Sequence, residues 1–196
     1  MENSTENFSW QYSLDRNTIN IFGVIDNVKA EFVISQLQYL DNKFKVNNVP
    51  ADERVITLQI NSPGGSVSDG LAIYDTLNYV NAKIETIGLG MVASMGAFLL
   101  SAGSKGMRRA TANCEILIHQ PLGGASGQAS DIIIAANHIE RVRDRLNDIL
   151  SVNTGQTLST VRKFTDRDTI MTAVQARKFG IIDHIIDSPN KAKEVI

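Results

Sequence analysis

The sequence predicts an α/β fold in which most strands run parallel. Short runs rich in β-branched residues alternate along the 196-residue chain with segments of helical periodicity. This alternation is typical of helices layered on a largely parallel sheet, and not of a β-sandwich or a helical bundle. No repeat or low-complexity tract divides the chain, so we expect one core. The predicted strands are Thr18 to Phe22, Val55 to Ile60, Lys83 to Gly88, Met107 to Thr111 and Cys114 to Ile118.

A glycine turn and a capping residue mark the helix that follows the second strand. The turn spans Asn61 to Gly65, and Ser66 with Asp69 three residues later resembles a capping box. The predicted helix continues to Val80. Two consecutive glycines also allow a backbone N–H to face an approaching ligand, so Gly65 is a candidate hydrogen-bond donor as well as a hinge.

The longest predicted helix runs from Ser130 to Thr154 and ends at Gly155. Apolar residues three and four apart predict one buried face on this helix. They are Ile132, Ala135, Ile139, Val142, Leu146 and Ile149. Because further apolar residues, including Ile133 and Ile134, widen this surface, part of it is expected to contact another subunit.

Two more segments complete the predicted secondary structure. The polar stretch between Lys43 and Arg54 is expected to be an exposed loop within the domain. A helix is predicted from Thr172, where Gln175 completes a capping box, to Gly180.

Composition excludes several functional classes. The net charge of −2 gives no basic surface of the kind that binds nucleic acid. No segment has the roughly 18 consecutive apolar residues of a membrane span, and the polar N-terminus does not resemble a secretory signal. The single cysteine, Cys114, excludes an internal disulfide and is interpreted as a packing residue. We therefore expect a cytoplasmic protein with neither a membrane nor a nucleic-acid partner.

Three residues in the order Ser, His, Asp suggest a hydrolytic triad. Ser94 lies where an apolar strand turns into an apolar helix, His119 ends a buried-type strand just before Pro121, and Asp168 lies further along the chain. The surrounding sequence lacks the Gly-x-Ser-x-Gly elbow, which argues against an α/β-hydrolase fold.

Each of these residues has a simpler interpretation. A serine at a helix start is more often a cap than a nucleophile. Of the other two histidines, His138 fits the surface of the long helix, and His184 fits a face of the short run 181–186 that points away from the core. Asp166 competes with Asp168 for the third position, and the local sequence does not separate them.

Five linked motifs resemble the signatures of the Clp protease family, specifically its proteolytic subunits, ClpP. The resemblance extends from about Thr18 to Ile186, and the order and spacing of the motifs also match. The motifs are Ile60 to Val67, Ile73 to Thr76, Ala93 to Leu100, Ile118 to Gly124 and Thr165 to Asp168.

The resemblance implies a serine endopeptidase with a crotonase-like fold, a single-domain spiral of ββα units with a long handle helix. It implies the catalytic residues Ser94, His119 and Asp168. It also assigns the oxyanion hole to the backbone N–H groups of Gly65 and Met95. Met95 agrees with the local sequence, because it falls in the first turn of a predicted helix, where N–H groups are unpaired.

The resemblance further implies an assembly of two stacked heptameric rings that encloses a chamber for unfolded polypeptides. Residues 1–17 would form an N-terminal segment near an axial pore, and residues 18–196 the peptidase domain, with a handle region at about 120–155. In that region, the glycine-rich stretch from 123 to 128 resembles a strand that pairs across rings. Asp131 and Arg167 are expected to contact each other between the rings.

The implied partner is an ATP-dependent unfoldase of the AAA+ Clp class. The chain has no Walker A motif, so we expect no cofactor and no metal, with ATP used only by that separate subunit. Thr57 and Gln59 stand where the family commonly has tyrosines that line the docking pocket, while Tyr79 keeps an aromatic residue there. The short polar N-terminus also differs from the family's apolar pore segment.

Two alternatives remain open at the level of the sequence. One is a weakly active or structural ClpP paralogue that works in a mixed ring with a second ClpP-type subunit. The other is a crotonase-like acyl-CoA enzyme, which shares the fold and polarises a carbonyl group with two backbone N–H groups.

Overall fold

The computed structural model describes residues 13–186. Seven strands form one sheet from Thr18 onward. They are β1 (Thr18–Phe22), β2 (Val55–Ser62), β3 (Lys83–Ala93), β4 (Arg108–Thr111), β5 (Glu115–Ile118), β6 (Thr169–Thr172) and β7 (His184–Ile186). The helices are α1 (Asn27–Val46), α2 (Val67–Tyr79), α3 (Met95–Ser101), α4 (Ala129–Thr154), α5 (Leu158–Thr165) and α6 (Ala173–Phe179).

Strand β3 is the branch point of the sheet. The main path runs β1-β2-β3-β4-β7, and all of its pairs are parallel, as the sequence predicts. The first half of β3 pairs with β4 through Thr86 to Gly88, and its second half pairs with β5 through Met91 to Ala93. Strand β6 then adds to β5 in the antiparallel sense.

The predicted end of β3 at Gly88 is wrong, because the strand continues to Ala93. Gly90 lies between the two halves with a φ of 61°, a conformation that glycine adopts without steric cost. The chain can therefore change direction inside one strand. This bend carries the strand to β5 and sets the position of the junction that follows Ala93.

Helix α1 was not among the predicted elements. It begins with the side chain of Asp26 accepting a hydrogen bond from the N–H of Lys29, and it ends at Val46. The predicted loop therefore begins later than Lys43. The buried apolar residues of α1 are spaced three and four apart and pack into the main core: Ala30, Val33, Leu37, Leu40 and Phe44.

Helix α4 is buried only in its C-terminal half. Asn147 and Leu150 are its buried residues, whereas Ile132, Ile133 and Ile134 near its start are exposed. The expectation that the whole stripe from Ile132 to Ile149 is buried is therefore wrong. The N-terminal half projects away from the core, so its apolar side chains have no covering layer within the chain.

Other local predictions are confirmed. Ser66 caps α2 by accepting a hydrogen bond from the N–H of Asp69, and Gly155 ends α4 in a left-handed conformation. Thr172 and Gln175 form the predicted capping box at the start of α6. No helix within residues 13–186 is both long and apolar enough to cross a membrane. Of the predicted N-terminal segment 1–17, residues 1–12 lie outside the described residues.

Candidate active site

Ser94 lies at the junction of β3 and α3 in a backbone conformation that non-glycine residues rarely adopt. Its φ is 55° and its ψ is −123°. Its backbone N–H donates to the carbonyl oxygen of Leu117 at 2.8 Å, which ties the junction to β5. Strain of this kind persists only where the surrounding structure imposes it, and it is concentrated at functional sites.

The hydroxyl of Ser94 does not cap the helix that follows it. The side chain makes no capping hydrogen bond, so the cap interpretation is wrong for this residue. Instead, Ser94 Oγ lies 2.9 Å from His119 Nε2. This is the distance at which an imidazole nitrogen can accept the proton of a serine hydroxyl.

The second ring nitrogen of His119 faces Asp168. Nδ1 lies 3.0 Å from Asp168 Oδ1. If Nδ1 carries the proton and donates it to the carboxylate, Nε2 is left as an acceptor for Ser94. The His119 side chain is 19% exposed and that of Asp168 is 69% exposed. The chain of hydrogen bonds therefore passes through a sheltered imidazole and ends at a carboxylate that is open to solvent.

The structure separates the two competing acids. Asp168 contacts His119, whereas Asp166 contributes its backbone carbonyl oxygen to a hydrogen bond from Gln120 Nε2 at 2.8 Å. His138 lies exposed on α4, and His184 lies on β7 beside Arg109 of β4. The three predicted residues Ser94, His119 and Asp168 are thus brought together, and the other two histidines are not.

The glycine turn packs tightly, with Gly64 against Ser94 and Gly65 against Ile25. A Cβ atom at Gly64 would come within 2.5 Å of Ser94 Cβ, and one at Gly65 would overlap the carbonyl oxygen of Ile25. Gly64 and Gly65 have φ values of 95° and 153°, so both lie in the region that favours glycine. The close approach explains why this turn lacks side chains.

The predicted oxyanion donors have N–H groups available for a ligand. Within the described part of the chain, neither the Gly65 N–H nor the Met95 N–H donates a hydrogen bond, although neighbouring amides do. The carbonyl oxygens of Gly64 and Ile25 accept hydrogen bonds from Ile25 and Ser66, which hold the Gly65 peptide in place. An unpaired N–H beside a nucleophile is the arrangement that binds an oxyanion.

One apolar cavity adjoins Ser94, and a second apolar cavity shares Val67 and Pro121 with it. The first, of about 40 Å³, touches both Ser94 and His119, and the apolar parts of its wall include Phe98, Leu146 and Leu150. The second, of about 440 Å³, continues towards the start of α4. Its lining is Val67, Ser68, Leu71, Pro121, Leu122, His138, Ile139, Val142 and Arg145.

The thiol of Cys114 is buried and weakly acidic. Burial, with a smaller contribution from the charge of Glu115, raises the pKa of the Cys114 thiol to about 11. The reactive thiolate is therefore scarce at neutral pH. Residues 13–186 contain no group of three or more His, Cys, Asp or Glu side chains placed to hold a metal ion.

The residues expected at interfaces lie on the surface. Asp131 is exposed in the first turn of α4, and Arg167 is exposed with Nη1 donating to the carbonyl oxygen of Asp166. Thr57 Oγ1 donates to Glu85, and Gln59 lines a polar cavity of about 440 Å³. Tyr79 is 81% exposed at the end of α2.

Sequence reasoning missed three contributors to the site. Gly64 abuts Ser94, Gln120 reaches the loop that carries Asp168, and Thr165 bonds to Asn147 in the wall of the first cavity. Gly64 precedes Gly65, and Gln120 follows His119. These positions next to predicted site residues are the sequence signal by which both could have been predicted. The bond between Thr165 and Asn147 depends on a contact between two helices that the sequence does not display.

The family model described as Clp protease matches residues 2–189 of the chain. This chain belongs to the Clp protease family. Members of the Clp protease family are peptidases, and they generally form rings and work with Clp unfoldases. The expected fold class is also confirmed, since the mixed α/β architecture with one sheet agrees with that of the Clp protease family.

Proposed function

We propose that this member of the Clp protease family is a cytoplasmic serine endopeptidase whose catalytic residues are Ser94, His119 and Asp168. The observation that carries the proposal is the continuous hydrogen-bonded chain from Ser94 Oγ through His119 to Asp168 Oδ1, with distances of 2.9 and 3.0 Å. A serine hydroxyl needs a base within hydrogen-bond reach and a third group that orients the base.

The proposed reaction proceeds through a covalent acyl-enzyme. Ser94 Oγ attacks the carbonyl carbon of a peptide bond while His119 Nε2 accepts the hydroxyl proton. His119 then protonates the amine leaving group as the C–N bond breaks. A water molecule, deprotonated by His119, attacks the ester carbon. The C–Oγ bond then breaks, His119 returns the proton to Ser94 Oγ, and the carboxylic acid product leaves. Asp168 holds His119 in the required tautomer throughout.

Gly65 and Met95 are proposed to donate their N–H groups to the oxyanion that forms on the carbonyl oxygen. Support comes from the absence of a hydrogen-bond acceptor for either N–H within residues 13–186 and from the packing of the glycine turn against Ser94. Such a donor is worth about 10² to 10³ in turnover. The mechanism requires neither a metal nor a cofactor.

Unfolded polypeptides are the proposed substrates. The cleft beside Ser94 is walled mainly by apolar side chains, including Met95, Phe98 and Leu146. It therefore suits an apolar side chain next to the bond that is cut. We expect a broad preference, because an apolar wall discriminates between substrates by only about 1–3 kcal/mol per methylene group.

The proposed assembly is two stacked heptameric rings around a chamber. Support comes from the exposed Ile132, Ile133 and Ile134 on the projecting half of α4, an apolar surface without a covering layer in the described chain. Asp131 and Arg167 are opposite charges on exposed elements and are proposed to pair between rings. A separate AAA+ Clp unfoldase would supply unfolded chains and use the ATP.

A second candidate function has its own supporting observation. The surface around Gln59 is a polar cavity lined by Ser13, Arg16, Thr18 and Asn20 rather than by aromatic residues. An apolar loop of an unfoldase would bind such a surface weakly. The chain would then act as a weakly active or structural ClpP paralogue, in a mixed ring whose second ClpP-type subunit docks the unfoldase.

The test is hydrolysis of a short fluorogenic apolar peptide by the wild-type chain and by Ser94→Ala, after light scattering has shown that both form the same large assembly. We expect turnover by the wild type and background rates from the variant. Background rates from both proteins, rising when a second ClpP-type subunit is added, would favour the paralogue. Hydrolysis or binding of an acyl-CoA thioester without peptide cleavage would instead indicate a crotonase-like enzyme.

A further inference from the structure

Besides the contact of His119 with Asp168, one further side-chain hydrogen bond connects the residues that follow β5 with the loop that carries Asp168. Gln120 follows His119, and its Nε2 donates to the carbonyl oxygen of Asp166 at 2.8 Å. Asp166 lies two residues before Asp168. The bond therefore spans the gap between the end of β5 and the loop between α5 and β6, just beyond the contact of His119 with Asp168.

The loop residues make few side-chain contacts of their own, although Thr165 just before them is buried and donates to Asn147 Oδ1 and to the carbonyl oxygen of Val161. Asp166, Arg167 and Asp168 are all exposed, and the Asp168 carboxylate bonds to His119 without a second partner among the described residues. The ladder between β5 and β6 fixes Thr169, whose Oγ1 also donates to the carbonyl oxygen of Phe164. On the N-terminal side of Asp168, the hydrogen bond that connects the loop to the end of β5 is the one from Gln120 to the carbonyl oxygen of Asp166.

Other contacts of the Asp166 carbonyl oxygen do not replace this tie. Arg167 Nη1 also donates to it, at 3.2 Å, but Arg167 belongs to the same loop. A contact within the loop restrains its local shape without fixing its distance from His119. The Gln120 bond crosses from one element to the other, so it fixes that distance.

We infer that Gln120 is a positioning residue that acts through Asp168. By holding the loop against the end of β5, it keeps the Asp168 carboxylate within reach of His119 Nδ1. The inference rests on the proposed function, since it assigns Gln120 a part in the Ser94 reaction without contact with substrate. Catalytic groups have to be held to within about 0.5 Å, and a displacement of about 1 Å can cost about 10²-fold in rate.

The primary variants are Gln120→Met, which keeps the length of the side chain and removes the donor, and Gln120→Glu, whose carboxylate cannot donate to a carbonyl oxygen. We expect kcat to fall by about tenfold or more, within the 10²-fold that misplacement can cost. KM should change little, because Gln120 lines neither the cavity beside Ser94 nor the one that adjoins it.

Gln156→Met is the matched control. Gln156 Nε2 also donates to a backbone carbonyl oxygen, that of Phe179, at 2.9 Å. That bond links the segment after α4 to the end of α6, and it has no contact with Ser94, His119 or Asp168. The control loses the same kind of hydrogen bond and should keep the wild-type kcat.

A double-mutant cycle separates positioning from general stability. If Gln120 acts through Asp168, Gln120→Met should cost nothing further in an Asp168→Asn background, because the group it positions is already impaired. An equal loss in both backgrounds, or a wild-type kcat for Gln120→Met, would overturn the inference. Ser94→Ala is measured alongside: wild-type turnover that does not depend on Ser94 contradicts the proposed function itself, and this inference with it.

Discussion

His119 and Asp168 occupy the next cross-strand position beyond the last pair of the ladder between β5 and β6. That ladder is antiparallel and ends at the pair Ile118 and Thr169. One further step along each chain reaches His119 and Asp168, whose side chains are 3.0 Å apart. Side chains that lie directly opposite each other on two antiparallel strands come within contact distance as a result of the strand pairing alone. The register of four residue pairs therefore selects the acid that meets His119.

Asp168→Asn should lower kcat by about 10² to 10⁴, because the amide cannot hold His119 in the same tautomer as a carboxylate. Asp166→Asn is the matched comparison, since Asp166 participates through its backbone carbonyl oxygen, which the substitution keeps. We expect Asp166→Asn to retain turnover near that of the wild type in a steady-state peptide assay. The reverse order of the two variants would mean that the loop adopts another register in the active assembly.

Gly65→Ala should impair both stability and turnover. The added Cβ would overlap the carbonyl oxygen of Ile25 at a φ of 153°, so the peptide must move. We expect a loss of about 1–3 kcal/mol in the free energy of unfolding and a fall in kcat of about 10² to 10³ for the folded protein.

Gly106→Ala is the control for Gly65→Ala, because Gly106 also has a positive φ, of 82°, whereas a Cβ there meets nothing within 4 Å. Urea unfolding and steady-state kinetics are measured on both variants. Full turnover by folded Gly65→Ala would remove Gly65 from the oxyanion hole.

Asp183→Asn should destabilise the protein at neutral pH and lose its effect in acid. Burial raises the pKa of Asp183, but the hydrogen bonds and charge of Arg108, with the N–H of Gly106, lower it more, so the pKa lies below its ordinary value. The pair is well sheltered, with the Arg108 side chain 5% exposed. Breaking a sheltered pair costs about 3 kcal/mol at pH 7.

The pH dependence follows from the lowered pKa of Asp183. Its stabilising contribution is present above the unfolded-state pKa of about 4 and is lost as the pH falls through the folded-state value. The difference in urea midpoint between wild type and Asp183→Asn should therefore shrink on acidification below about pH 4. Asp144→Asn, at an exposed ion pair with Arg162, should cost less than about 1 kcal/mol at any pH. An Asp183→Asn effect that persists in acid would contradict this account.

Charge reversal should test the proposed contact between Asp131 and Arg167. Asp131→Arg and Arg167→Asp each place like charges together and should lower the molar mass of the assembly measured by light scattering. The double variant restores opposite charges and should recover the larger species. Single variants that keep the wild-type mass, or a double variant that stays small, would show that these residues do not pair between rings.

Local patterns in the sequence predict much of the framework. The β-branched runs give the parallel strands, and Ser66, Gly155 and Thr172 mark helix ends because capping is decided within a few residues. The spacing of Ala30, Val33, Leu37 and Leu40 would also have predicted α1. The place of Ser94 is predictable too, since it is the polar residue between an apolar strand and an apolar helix.

The remainder depends on contacts between distant parts of the chain. The choice between Asp166 and Asp168 follows from the pairing of β5 with β6, a strand of four residues that has no strong pattern of its own. The apolar residues of α4 look alike in sequence, yet Leu150 is buried and Ile133 is exposed, because only one end of the helix lies over the core. Such differences arise from packing, which periodicity does not encode.

The most direct test of Ser94 as an activated nucleophile is intact-protein and peptide mass spectrometry after treatment with a fluorophosphonate. The wild-type assembly should gain one adduct per chain, located on Ser94. His119→Ala should react far more slowly, because the hydroxyl then lacks its base. An assembled wild type that remains unlabelled, or that is labelled at another residue, would contradict the assignment of Ser94, His119 and Asp168 as the catalytic residues.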